Sequence, residues 1–307
     1  MTNKIRAFDF MKYCQTATIV SAALILIALI SIFSRGLNFG VDFTGGVVVE
    51  AGFSEEIDLQ LIRNLLAEED FSNALVQNFG SATDVLIRLE PQEDMDGAAI
   101  RDTVLSIISI ADPLVELRRV DFVGPQVGQD LTEDGSLAML FALIFIFFYV
   151  TFRFKWKFAV GALGALIHDV IILVGFFSLT QINFDLTILA AVLATIGYSL
   201  NDTIVVFDRI RENFKLQRGD ESYNVINHSI NQMLTRTIIT SGTTLLVLLA
   251  LFYLGGETVA GFALALIVGI AVGTYSSVFV AGTMILRLKI AAIDFAERKR
   301  EEIDDLP

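Results

Sequence analysis

Six long apolar runs dominate this sequence, and they leave few folds open to it. They cover residues 16–33, 135–152, 158–180, 186–207, 234–254 and 262–288. A helix needs about 20 mostly apolar residues to cross a bilayer, so each run is expected to be a membrane span. Of the whole chain, 54% is hydrophobic and only 19% charged, with a mean hydropathy of +0.64. Those values exclude a soluble enzyme, a disordered chain and a nucleic-acid binder. The net charge of −13 repels phosphate backbones. Residues 35–134 carry 20 acidic and 6 basic side chains, while the remainder is close to neutral. One acidic, water-soluble insert therefore interrupts an apolar body.

The basic residues orient the spans. Lys4, Arg6 and Lys12 precede span 1, and Arg153, Lys155 and Lys157 separate spans 2 and 3. Arg209, Arg211, Lys215 and Arg218 separate spans 4 and 5; Arg287, Lys289, Arg298, Lys299 and Arg300 follow span 6. All four clusters fall on one side of a six-span chain, which predicts cytoplasmic termini and an exported acidic insert. The first span is longer than a signal-peptide core and no A-x-A-like site follows it, so it reads as a retained anchor. The expected organisation is an N-terminus with span 1 over 1–34, an exported domain over 35–132, spans 2–6 over 133–288 and a cytoplasmic tail over 289–307.

Within the insert, strands are expected at 45–53, 74–79, 84–89 and 114–123, and helices after Ser54, as an N-cap, and at 98–110. The order βαββαβ is the ferredoxin-like α+β arrangement. The expected fold class is thus a polytopic α-helical membrane protein of six spans, with this domain between the first two.

Cys14 is the sole cysteine, which excludes an internal disulfide and any multi-cysteine metal site. No nucleotide-binding glycine motif and no zinc-binding spacing occurs, so no cofactor or metal is expected. Charges inside spans are functional candidates. Asp202 lies in span 4 beside Asn201, Arg236 begins span 5 ahead of Thr240 and Ser241, and His168 and Asp169 sit near the middle of span 3. Spans 4 and 5 run antiparallel, so Asp202 and Arg236 are expected to meet in the bundle interior. Three alternatives stay open: Arg236 snorkels to headgroups, Asp202 forms a static bridge or packing bond, and His168–Asp169 is a structural pair rather than a relay. Glycines 161, 164, 269 and 273 are expected to be packing surfaces, with Thr274, Ser276 and Ser277 as interhelical hydrogen-bond partners. A carboxylate beside an arginine suggests a proton path, with Asp202 titrating and Arg236 gating. Gly36, Gly40, Gly45, Gly46, Gly124 and Gly128 cluster where the insert joins spans 1 and 2, and predict a hinge.

Several ordered motifs resemble the SecD/SecF protein-export family. They are GLNFGVDFTGG at 36–46, VGPQVG at 123–128, NDTIVVFDRIREN at 201–213, NQMLTRT at 231–237 and GTYSS at 273–277. The single small insert is similar to the SecF branch rather than the larger SecD one. The resemblance implies membership of the resistance-nodulation-division superfamily and a twelve-span unit made with SecD. It implies further partners in the SecYEG channel, YajC, unfolded exported polypeptide and the lipids of a bacterial inner membrane, but no nucleic acid. In that family inward proton flow drives the exported domains to pull polypeptide outward, and the charged pair of spans 4 and 5 falls on Asp202 and Arg236. Three competing readings are a stand-alone exporter of small molecules or lipids, an intramembrane aspartyl protease (whose GxGD motif is absent) and a clamp without proton coupling.

Overall fold

The computed structural model describes residues 8–69, 71–90, 97–217 and 220–291. Lys4, Arg6, Arg218, Arg298, Lys299 and Arg300 of the basic clusters, and residues 292–307 of the tail, lie outside the described residues. Six helices are long and apolar enough to cross a membrane. They are α1 (Cys14–Arg35), α5 (Pro125–Arg153), α6 (Trp156–Thr180), α7 (Leu186–Leu216), α8 (Ser222–Leu254) and α9 (Glu257–Arg287). The chain is a multi-pass membrane protein.

Between α1 and α5 lie a single helical turn, α2 (Val41–Thr44), and a two-layer α+β unit. The unit contains β1 (Gly46–Gly52), α3 (Leu59–Glu68), β2 (Leu75–Phe79), β3 (Ser81–Leu89), α4 (Gly97–Ala111) and β4 (Glu116–Val123). All three strand pairings are antiparallel, in the order β2-β3-β1-β4. This is the ferredoxin-like order expected from βαββαβ. Alternation builds its core: Val47, Val49 and Ala51 of β1 and Val85, Ile87 and Leu89 of β3 face α3 and α4. Ile62 and Leu66 answer from α3, and Ile100, Val104 and Ile108 from α4, at helical spacing.

Ser54 does not cap α3. The helix starts later, and the Asp58 side chain accepts from Gln60 N at 2.8 Å. Ser54 instead donates both its amide and its hydroxyl to Asp112 Oδ2, each at 2.7 Å, tying the end of β1 to the end of α4. These donors, with the Leu114 amide, hold the Asp112 carboxyl below its usual value.

In the membrane body α9 packs against α6, α7 and α8, while α1 packs mainly on α6. Small residues bring the backbones close. A Cβ on Gly269 would meet the Thr195 side chain, one on Gly273 would meet Ser199, and one on Gly175 would meet Ala28 of α1. Helices α7 and α8 run well past the apolar windows read for spans 4 and 5, on the side away from the α+β unit. There Asn213 donates to Ser229 (2.8 Å) and Gln232 (3.0 Å) across the two helices. Hydropathy marks where lipid touches a helix; polar interhelical bonds carry the helix onward.

The unit is tied down at its root. Gly40 N donates to Phe184 O (2.8 Å) and Phe184 N to Asn38 O (2.7 Å), so the segment after α1 pairs with the α6–α7 loop. Arg88 reaches from β3 to Phe39 O at 3.1 Å. At the other root α5 runs unbroken from Pro125 into the membrane, so the expected boundary at 132/133 falls inside a helix.

Candidate functional site

Asp202 sits in the middle of α7 with both oxygens occupied. Thr237 of α8 donates to Oδ1 at 2.8 Å, and Ser277 of α9 donates to Oδ2 at 2.5 Å. A carboxylate at this depth has little water to solvate it, and two hydroxyls supply what water would. A hydroxyl also accepts, so the same pair can turn to serve the protonated acid.

Arg236 does not meet Asp202 in this arrangement: among the described residues no ion pair joins them. The cause is helix phase. Neighbouring helical residues point about 100° apart, and it is Thr237, fully buried, that faces α7. Arg236 is turned towards α5, where it lines an open pocket of about 380 Å3 with Tyr149, Arg153, Asp208, Arg209 and Glu212. That pocket lies on the side of the membrane away from the α+β unit. Arg236 stands at it as an exposed cation one residue from the donor to Asp202.

Hydroxyls continue from Asp202 in the other direction. Thr274 of α9 donates to Ser241 of α8 at 2.8 Å, and Tyr198 of α7 donates to Thr244 of α8 at 3.4 Å. Since α8 runs towards the α+β side, Thr237, Ser241 and Thr244 form successive steps of a polar seam in that direction. Thr240 and Asn201 stand outside it. Thr240 is exposed and donates back to Arg236 O and Thr237 O, and Asn201 is exposed on α7.

His168 and Asp169 form a second, deeper cluster. His168 Nδ1 is 2.9 Å from Asp169 Oδ1, and Asp169 Oδ2 accepts from Ser199 (2.6 Å) and Ser276 (2.7 Å). Consecutive serines of α9 thus serve two carboxylates on two different helices. Ser276 and Ser277 are legible in the sequence as interhelical hydrogen-bond partners; which carboxylate each one serves depends on which helix it faces. Among the described residues no group of His, Cys, Asp or Glu is placed to hold a metal ion.

The root glycines divide into kinds. Gly36, Gly45 and Gly46 have φ of 66°, 72° and 128°, and a Cβ on Gly46 would strike Leu89 O. Gly40 and Gly128 are close approaches: a Cβ on Gly40 would lie 3.2 Å from Asp185 Cβ, and one on Gly128 2.8 Å from Phe43 O. Gly124 has φ of −65° and open space around it. Arg88 crosses this root beside Asp185 and Asp42. Burial holds its guanidinium below the ordinary value, and the two carboxylates pull the other way.

Comparison with known proteins agrees with this fold. The family pattern described as "Protein export membrane protein SecD/SecF, C-terminal" matches residues 104–291, and the "SecD/SecF GG Motif" matches residues 30–57. The chain is 47% identical to the protein translocase subunit SecF of Vibrio alginolyticus, covering 98% of each chain. It is 45% identical to that of Pseudomonas aeruginosa over 100% of both, and 41% identical to that of Escherichia coli O157:H7 over 97% and 93%. The crystal structure of SecDF, a translocon-associated membrane protein from Thermus thermophilus, superposes with a TM-score of 0.85 at 37% identity. A super-membrane-facing form of SecDF superposes with a TM-score of 0.70. Each comparison covers 94% of this chain but 40% of the SecDF chain. The hydroxyl-lined span 4 aspartate, the α+β insert and these likenesses together establish that the chain belongs to the SecD/SecF protein-export family, on its SecF branch.

Proposed function

We propose that this chain pairs with SecD and couples proton flow across a bacterial inner membrane to the late stage of polypeptide translocation through SecYEG, with YajC as an accessory partner. On this reading both termini are cytoplasmic and residues 35–132 form the exported unit that holds the emerging chain. The basic clusters support that orientation. The description of the SecDF relative as translocon-associated supports the SecYEG partnership. The stand-alone exporter is not favoured, because the full-length relatives are translocase subunits.

The observation that carries the proposal is the position of Asp202. It lies between a hydroxyl seam leading to the exported side and an open polar pocket, with Arg236, on the cytoplasmic side. A proton from the exported side reaches Asp202 along the seam and leaves by the pocket, and Arg236 swings in to favour the ionised acid. A proton crossing about 100 mV releases about 2.3 kcal/mol, enough to bias a two-state domain orientation about fifty-fold. The root glycines and the Arg88 contact are where that orientation changes.

Asp202→Asn tests the proposal. It keeps the size and hydrogen bonds of the side chain but cannot titrate. Export into vesicles should lose its response to an imposed proton gradient while protein level and SecD association stay normal. A normally accumulated variant that still responds to the gradient ends the reading.

A further inference from the structure

The proton path described so far leaves a buried titratable pair unused. His168 is 3% exposed and Asp169 1%. Three donors converge on the Asp169 carboxylate: His168 Nδ1, Ser199 and Ser276. An ionised carboxylate only accepts, so the imidazole hydrogen belongs on Nδ1 and the lone pair on Nε2. That Nε2 is buried and has no hydrogen-bond partner among the described residues. The ring lies over Tyr275 with centroids 6.2 Å apart, but the Tyr275 hydroxyl is committed elsewhere, to Ala17 O (2.9 Å) and Ser21 Oγ (3.0 Å). A histidine kept only for packing uses its ring nitrogens as bonded polar groups. This one keeps a basic nitrogen bare in the middle of the membrane.

The groups facing it are few. Asp169 is on its own helix, Ser199 comes from α7, and Tyr275 and Ser276 come from α9. The packed length of α1, 14–34, holds no acidic or basic side chain. Ser199 lies about one turn nearer the exported side than Asp202, and Ser276 immediately precedes the donor to Asp202. The His168–Asp169 dyad is therefore a second polar station above Asp202, beside the α8 seam.

We propose that His168 is a proton-carrying residue on a second branch into Asp202, upstream of it and beside the α8 seam. A proton from the exported side binds Nε2, and the hydrogen on Nδ1 passes to Asp169 Oδ1. The imidazole ends neutral with its hydrogen on the other nitrogen, so one proton has moved across the ring and no other bond has changed. Asp169 then releases the proton towards Asp202 across the Ser276–Ser277 step, and the ring is free to turn back because nothing holds Nε2. This inference rests on the reading that Asp202 titrates.

The chain has two histidines, and His228 is exposed on α8. His228→Gln therefore leaves a single imidazole to follow by nitrogen-15 histidine NMR of the full chain in bilayers. The expected result is a neutral, Nδ1-protonated ring at pH 9 that changes protonation or tautomer by pH 5, with a midpoint displaced in Asp202→Asn. One unchanging neutral tautomer across that range overturns the proposal, and so does a change indifferent to Asp202→Asn. His168→Asn sets an amide N–H near the position of Nδ1, which preserves a structural role but removes the second nitrogen. Gradient-driven export should fall at least tenfold at normal protein level; export that keeps its gradient response overturns the proposal. A gradient response surviving in Asp202→Asn sinks the Asp202 reading itself, whereas survival in His168→Asn alone sinks only this one.

Discussion

Thr237 donates to Asp202 at 2.8 Å from the position next to Arg236, so helix phase gives the carboxylate a hydroxyl partner rather than a guanidinium. Thr237→Val keeps the shape and removes the donor. It should lower gradient-driven export several-fold, in line with about 1 kcal/mol for a part-buried acceptor left short of a partner. Ser277→Ala should act in the same direction, and the double variant should lose more than either. Export initial rates at fixed gradient check this, and full activity in the double variant contradicts it.

Arg236→Lys keeps the charge but loses the planar fork that grips a carboxylate with two bonds. Export is expected to be partly retained with Lys and lost with Met, at equal protein levels. Equal activity of the two variants would show that Arg236 only decorates the pocket.

Arg88 is the latch prediction. Arg88→Ala removes the contact to Phe39 O, a hydrogen bond from a charged donor of the kind worth about 1.5–3 kcal/mol. Amide exchange in residues 38–46 should accelerate in the full chain while residues 47–51 of β1 stay protected. Uniform acceleration through β1 would mean the domain itself had loosened.

Asp112 predicts an acid response. Its folded value is held below the unfolded value of about 3.9. Its stabilising contribution is therefore fully present above about pH 4 and is lost as pH falls through the lower folded value. The thermal transition of the domain in the full-length protein should fall more steeply below about pH 4 in wild type than in Asp112→Asn. Parallel curves would remove Asp112 from the account.

Orientation is checked with tags at Gly97 and Gly219, which should report opposite sides of the membrane. Agreement between them would overturn the cytoplasmic placement of the Arg236 pocket.

Much of this was legible from residues alone, for identifiable reasons. Spans announce themselves because lipid tolerates few charges, and the βαββαβ order follows from alternation in β1 and β3 and from helical spacing in α3 and α4. Helix ends were less legible, because Asn213 and Ser229 extend α7 and α8 by bonds that hydropathy does not count. The Ser54 cap failed because Asp58, four residues on, competes for the same role and Ser54 has a stronger partner in Asp112. The polar candidates within the spans could be named from the sequence, but their contacts could not. Whether residue 236 or 237 faces Asp202 is a matter of about 100° of helix phase, and a sequence with polar groups at both positions does not state it.

Helix α5 joins the last strand to the membrane without a break, and its 29 residues make a rod about 43 Å long at 1.5 Å per residue. It packs chiefly on α6 and α2, and little of its length is buried. Tilting such a rod by about 10° about one end carries the other through about 7 Å, roughly two residues of extended chain. On the proposed coupling, such leverage would turn a small rearrangement around one carboxylate into a stroke on the scale of a polypeptide step.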